Sequence, residues 1–130
     1  MANIMANTMV KIIVKKLFNN EIYEKLVLNF LIIKHNTKEE LKYAINNIKD
    51  YGNPNLWDVY NITDMSNLFE DNETFNYNIN NWNVSNVTNM SYMFYNCNKF
   101  NQPLNNWNLS NVTDMKSMFL NCRNFNYLIY

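Results

Sequence analysis

Residues 82–106, WNVSNVTNMSYMFYNCNKFNQPLNN, decide the fold, because the stretches on either side repeat their pattern. Trp57, Trp82 and Trp107 each open a copy, giving a period of 25 residues. Apolar residues recur in the columns Val59/Val84/Leu109, Ile62/Val87/Val112, Met65/Met90/Met115, Phe69/Phe94/Phe119 and Phe75/Phe100/Phe125. Polar residues recur as well, notably Asn61/Asn86/Asn111, Thr63/Thr88/Thr113 and Asn76/Asn101/Asn126. A fixed period of this length is the signature of units that cannot bury an apolar face alone and must stack on one another.

Within a copy, Trp82 and Val84 alternate with Asn81, Asn83 and Ser85, which predicts a short half-buried strand. Thr88 reads as the cap of a helix whose apolar positions Met90, Met93, Phe94 and Cys97 are spaced three, four and three apart. Phe100, Pro103 and Leu104 return the chain to the next tryptophan. The expected fold class is therefore α/β: a leucine-rich-repeat-like solenoid of three strand-turn-helix coils over residues 57–130, preceded by a leader and helical cap over 1–56. The repeated Asn residues are expected to point inward and satisfy backbone groups of the turns. Asp64, Asn89 and Asp114 follow the capping Thr and are expected to favour a helix N-terminus. The tryptophans, in phase with inward Val84, read as core rather than as a carbohydrate-stacking platform.

Residues 1–8 are expected to fray, and the β-branched run 9–16 suits a short strand or the approach to a helix. Ile22, Leu26, Val27, Phe30 and Leu31 predict a helix over 20–31 with Asn20 at its N-cap. That stretch resembles the first helix of an F-box, without the proline of the F-box pattern. Thr37 followed by Glu40 forms a capping box, and Leu41, Ala44, Ile45 and Ile48 continue a helical stripe over 38–50. Gly52, the only glycine in the chain, is expected to end that helix with a positive φ. The helix would cover the first coil, as the end of a repeat stack requires.

One glycine in 130 residues excludes Gly-rich phosphate loops. The 30 asparagines, with abundant Ile, Lys and Tyr, match AT-rich codons. Residues 1–51 carry eight lysines against five acids and residues 52–130 carry three bases against six acids, so neither half offers the basic stripe that nucleic acid requires. Cys97 and Cys122 occupy one column and are expected to be buried and reduced, with a disulfide open only if the two Cα atoms approach within about 7 Å. With His35 as the lone histidine, no zinc set forms and no nucleophile has a base beside it. No cofactor is expected. The N-terminus does not read as a secretory signal, and Leu26–Ile33 falls short of the roughly 20 apolar residues of a membrane span. An intracellular location is expected.

The pattern W-x-V-S-N-V-T-x-M-x-x-M-F-x-x-C-x-x-F-N-x-x-L over residues 57–130 resembles the BspA-like repeat of bacterial surface lipoproteins, which is also common in large DNA viruses of protists. The helix 38–50 with Tyr51-Gly52 is similar to the leader that precedes such repeats. The resemblance implies a solenoid used for binding or adhesion, with no catalytic residues to transfer. The chain departs from the bacterial members in lacking a signal peptide or lipobox. That departure and the AT-rich composition fit a viral or protist source, and hence a host-cytoplasm or virion location.

The expected function is a non-enzymatic module for protein–protein interaction, or a virion or surface structural component. The rival is an adaptor whose helix 20–31 recruits ubiquitin-ligase machinery while the repeats hold a substrate. Recognition is expected on the outward strand residues Asp58, Tyr60, Asn83, Ser85, Asn108 and Ser110, with Asn83 replaceable at little cost to stability. The last coil is expected to leave Trp107, Leu109, Met118 and Phe119 uncovered. With Leu128 and Ile129 they form a candidate association end, for a second copy or a larger protein partner, unless residues 127–130 fold back over it.

Overall fold

The computed structural model describes residues 33–129. The run 9–16, the helix expected over 20–31 and its F-box-like reading lie outside the described residues. Helix α1 spans Lys38–Asn46 and α2 spans Ile48–Tyr51, followed by a 3-10 turn at Pro54–Leu56. The capping box forms: Thr37 Oγ1 accepts from Glu40 N–H at 3.2 Å. Its return arm is displaced by one residue, since Glu40 Oε2 accepts from Asn36 N–H at 2.8 Å. The single helix expected over 38–50 breaks at Asn47, where the backbone opens to φ −127° and ψ 38° and the side chain donates back to Tyr43 O at 2.8 Å. Gly52 ends α2 with φ 71° and ψ −155°, its N–H donating to Ile48 O. That combination lies outside the left-handed helix and is open essentially to glycine alone.

The expected solenoid of strand-turn-helix coils is not what forms. Among the described residues there are two short α-helices, both ahead of Trp57, and no strand. Each 25-residue copy is instead a tier built from turns.

The predicted helix fails because two residues of every tier take left-handed backbone: Asn67 and Asp71, Tyr92 and Asn96, Ser117 and Asn121, with φ between 52° and 61°. A right-handed helix cannot contain them. In the middle tier the N–H groups of Met93, Tyr95 and Cys97 close turns onto Met90, Tyr92 and Phe94 at 3.2, 3.1 and 3.0 Å. The alternating N–H groups of Tyr92, Phe94 and Asn96 leave the tier and reach Lys116, Met118 and Leu120 O in the next, at 2.9, 2.9 and 3.0 Å. Asn67, Phe69 and Asp71 do the same toward Ser91, Met93 and Tyr95. Consecutive turns therefore satisfy the same three-four-three apolar spacing that a helix would. Thr88 is a rung rather than a cap: its N–H donates to Thr63 O at 2.8 Å, and its carbonyl accepts from Thr113 N–H at 2.8 Å.

The predicted strand fails for a related reason. The alternation is real, since Trp82 and Val84 are buried and Asn83 is exposed. However, Asp58, Asn83 and Asn108 each accept, through Oδ1, the N–H two residues on, at Tyr60, Ser85 and Ser110 (3.0, 3.2 and 3.1 Å). Such Asx turns bend the chain before a ladder can extend. Val87 N–H then closes a turn on Val84 O at 2.9 Å. Only isolated parallel bridges remain, at Asp64–Asn89 and Asn89–Asp114 between tiers and at Lys34–Asp58 below them.

Tiers stack in register through columns of like rings. Trp57, Trp82 and Trp107 have centroids 6.4 and 6.5 Å apart, and the column is closed below by the buried ring of His35, edge-on to Trp57 at 5.0 Å. Phe69, Phe94 and Phe119 stack at 5.0 and 5.3 Å with planes 7° and 8° apart. Within each tier the two phenylalanines also touch, as Phe94 and Phe100 do at 4.2 Å. Leu41, Ala44 and Ile45 of α1 belong to the same buried cluster. The tryptophans are thus core, as their phase with Val84 predicts.

Candidate functional site

Two kinds of surface result from this construction: the sides of the stack, where columns emerge, and its end after the third tier. On the sides, the repeated asparagines are exposed or half-buried rather than inward, but they still join tiers. Asn86 Nδ2 donates to Tyr60 O at 2.9 Å and Asn111 Nδ2 to Ser85 O at 2.7 Å. Asn76 and Asn101 accept, through Oδ1, the N–H of Asn101 and Asn126 at 2.9 and 3.2 Å. Two further columns escape sequence reasoning. Asn80 Nδ2 donates to Asn105 Oδ1 at 3.1 Å. Asn96 Nδ2 donates to Asp71 Oδ1 at 2.7 Å and accepts, through its own Oδ1, from Asn121 at 2.9 Å. Their signal was the period itself: Asn55, Asn80 and Asn105 form one invariant column, and Asp71, Asn96 and Asn121 form another whose residue type varies.

The six side-chain candidates separate. Asp58, Asn83 and Asn108 are occupied by their Asx turns, and Ser85 Oγ donates to Asn83 Oδ1 at 2.7 Å. Tyr60 stands free of that work and is 48 % exposed. On the turn run, the column Glu70/Tyr95/Leu120 changes character from tier to tier and ends in Leu120, 51 % exposed. Beside it, Tyr92 packs edge-on to Tyr95 at 5.9 Å and lies under the Lys116 ammonium at 5.9 Å.

An open groove of about 840 Å³ runs between the helices and the first tier, lined by Asn46, Lys49, Asp50, Glu70, Asp71 and Tyr77 among others. No group of three or more His, Cys, Asp or Glu side chains able to hold a metal occurs among the described residues.

Asp64 has a local role different from the helix-dipole one expected. Its Oδ1 accepts from Ser66 N–H at 2.8 Å, the same Asx turn that Asn89 and Asp114 make with Ser91 and Lys116. Burial alone would raise the Asp64 pKa, but hydrogen bonds from Ser66 and the Lys38 ammonium at 3.4 Å outweigh it and hold the carboxyl below its usual value.

Cys97 and Cys122 are free and buried. The Cys97 thiol donates to Phe69 O at 2.9 Å and the Cys122 thiol to Cys97 O at 3.1 Å. Burial, then the neighbouring Cys122, pushes the Cys97 pKa up to about 12; burial takes Cys122 to about 11. Both are protonated, poor nucleophiles at neutral pH.

At the end of the stack, burial falls away. Met65 and Met90 are fully buried, whereas Met115 in the same column is 39 % exposed. Of the predicted end residues, Trp107 and Met118 are buried, Leu109, Phe119 and Ile129 are half-buried, and Leu128 is exposed. The end face is therefore narrower than expected and centred on Met115, Leu109 and Phe119.

No helix among the described residues is long and apolar enough to cross a membrane. A family profile described as "Mycoplasma protein of unknown function, DUF285" matches residues 36–130. The match opens at the capping box, so it takes in α1 as well as the three tiers. Neither the curated proteins nor the solved structures contain a match.

Proposed function

We propose, for a chain that belongs to the DUF285 family of Mycoplasma proteins of unknown function, that its tiers form a BspA-like, non-enzymatic module for protein–protein interaction. The observation that supports this reading is the division of labour among columns. Side chains that repeat are spent on packing or on joining tiers. Among those that vary are large side chains that reach solvent, Tyr60 and Leu120 exposed and Tyr92 and Tyr95 half-buried. Tyrosine is enriched at protein interfaces because it offers a large apolar face and a polar tip at low entropic cost. The near-neutral chain adds no steering field that would favour a polyanion.

Photo-crosslinking residues placed singly at Tyr60, Tyr95 and Leu120 test the proposal in extracts of the native source. The expected result is one protein species captured from adjacent positions, and lost when Tyr92→Ala is combined with the Leu120 probe. Absence of any captured protein at all three positions would contradict it.

A further inference from the structure

The turn runs place four peptide groups per tier along the stacking direction, all pointing the same way. In the middle tier the carbonyls of Asn89, Ser91, Met93 and Tyr95 accept from the tier before, and the next N–H groups in each peptide donate to the tier after. Three tiers so aligned make columns with a carbonyl end and an N–H end, in the sense of a helix dipole. By the period, the first-tier carbonyls equivalent to those four are Asp64, Ser66, Leu68 and Glu70 O, on the side where α1 packs with Leu41, Ala44 and Ile45 in the shared core. Lys38 Nζ lies 2.7 Å from Ser66 Oγ, and Lys42 Nζ is 3.3 Å from Asn67 O. At the opposite end, the equivalent donors are the N–H groups of Met115, Ser117, Phe119 and Asn121, and none has an acceptor among the described residues.

We infer that this end face docks a segment of another polypeptide carrying the same 25-residue repeat, laid parallel so that its alternate carbonyls meet those four N–H groups. The interface is already present twice in the molecule, where the second tier seats on the first and the third on the second. The half-buried Phe119 and Leu109 and the exposed Met115 supply the apolar part of the contact. A row of four donors with apolar side chains between them suits an extended row of acceptors rather than a single small anion.

A second copy of this chain does not fit. Among the described residues α1 packs over the carbonyl side of the first tier, with Lys38 at Ser66 Oγ and Lys42 at Asn67 O, and the carbonyls of the second and third tiers accept from the tier before. Tail-to-tail contact would set donors against donors. The inference rests on the interaction-module reading but uses a different surface, so the two fail separately.

Amide hydrogen exchange on the isotope-labelled full chain tests it. The probe is a synthetic peptide with the sequence of residues 82–106, and a scrambled peptide is the control. In dilute chain alone, the amides of Met115, Ser117, Phe119 and Asn121 should exchange faster than those of Met90, Tyr92, Phe94 and Asn96. The repeat peptide should slow the first set by about tenfold when about nine-tenths of the chains are occupied. Met115→Glu should abolish that protection while Phe94 N–H stays protected, which shows the variant is folded. The inference is overturned if the peptide changes nothing or the scrambled peptide works equally. Protection already present in dilute chain would mean the chain covers its own end, and protection rising with chain concentration would mean a second copy does; either overturns it too. A chain that keeps its crosslinked side-surface partner but fails here would refute the end-face docking alone.

Discussion

Trp82 and Trp107 lie 6.5 Å apart with ring planes only 5° from parallel. Each donates its indole N–H to a carbonyl 28 residues earlier in the chain: Trp82 to Pro54 O at 2.7 Å, Trp107 to Ile79 O at 3.1 Å. The same ring thus fills the core and ties its tier to an earlier stretch of the chain. Trp82→Ala removes both functions and should cost about 3–5 kcal/mol, comparable with the whole stability of a small domain. Trp82→Phe keeps a ring but removes one of two donors to Pro54 O, which still accepts from Trp57 N–H at 3.1 Å, a loss of about 0.5–1.5 kcal/mol. Urea denaturation should rank parent, Trp82→Phe and Trp82→Ala in that order; equal midpoints would place the ring outside the core.

Asn83 was expected to be replaceable, but its Oδ1 holds the turn at Ser85. Asn83→Ala should cost about 0.5–1.5 kcal/mol. The exposed Asn124, whose side chain makes no hydrogen bond among the described residues, should tolerate alanine within about 0.5 kcal/mol. If the two variants melt together, the Asx turn contributes nothing.

Ser117 holds φ at 52°, and its side chain makes no hydrogen bond among the described residues. Ser117→Gly should stabilise by up to about 1 kcal/mol, and Ser117→Val should destabilise by about 1–2 kcal/mol. The opposite order in a thermal melt would mean that the residue is not left-handed in solution.

Two groups give the chain opposite pH sensitivities. The Asp64 pKa is lowered in the folded state, so its contribution is present above the unfolded value of about 3.9 and is lost as pH falls through the folded value. Asp64→Asn should flatten that acid limb while retaining the oxygen that accepts from Ser66. For Cys97 the folded pKa is about 12 against an ordinary 9.0. Above pH 9 the unfolded chain therefore sheds a proton that the folded chain keeps, and stability falls as pH rises toward 12. Cys97→Ala lowers stability at neutral pH but should lose less between pH 8 and 10.5 than the parent does. Parallel slopes in denaturant titrations at those pH values would refute the thiol's part.

The period, the ring columns and the capping box at Thr37 were legible because each follows from residue identity at fixed spacing. The tier's internal path was not. Met90, Met93, Phe94 and Cys97 have helical spacing, and consecutive turns bury the same residues, so periodicity alone cannot separate the two. The deciding feature is positive φ at Tyr92 and Asn96 and at their equivalents, where no glycine announces it. Partial signals existed: four of those six residues are Asn or Asp, which tolerate the left-handed region better than other residues. Asn83-Val84-Ser85 and Asn89-Met90-Ser91 are also spaced for Asx turns. Among the candidate binding residues, Tyr60 was readable as outward. The Tyr92–Tyr95–Lys116 grouping depends on stacking the tiers correctly and was not.

Each tier sends alternate N–H groups to the next tier instead of closing a helix. Scalar couplings across hydrogen bonds, measured by NMR on the labelled chain, test it at one atom pair. The N–H of Phe94 should couple to the carbonyl carbon of Met118, its acceptor at 2.9 Å. Coupling from Phe94 N–H to the carbonyl of Met90, four residues back as in an α-helix, would contradict the account.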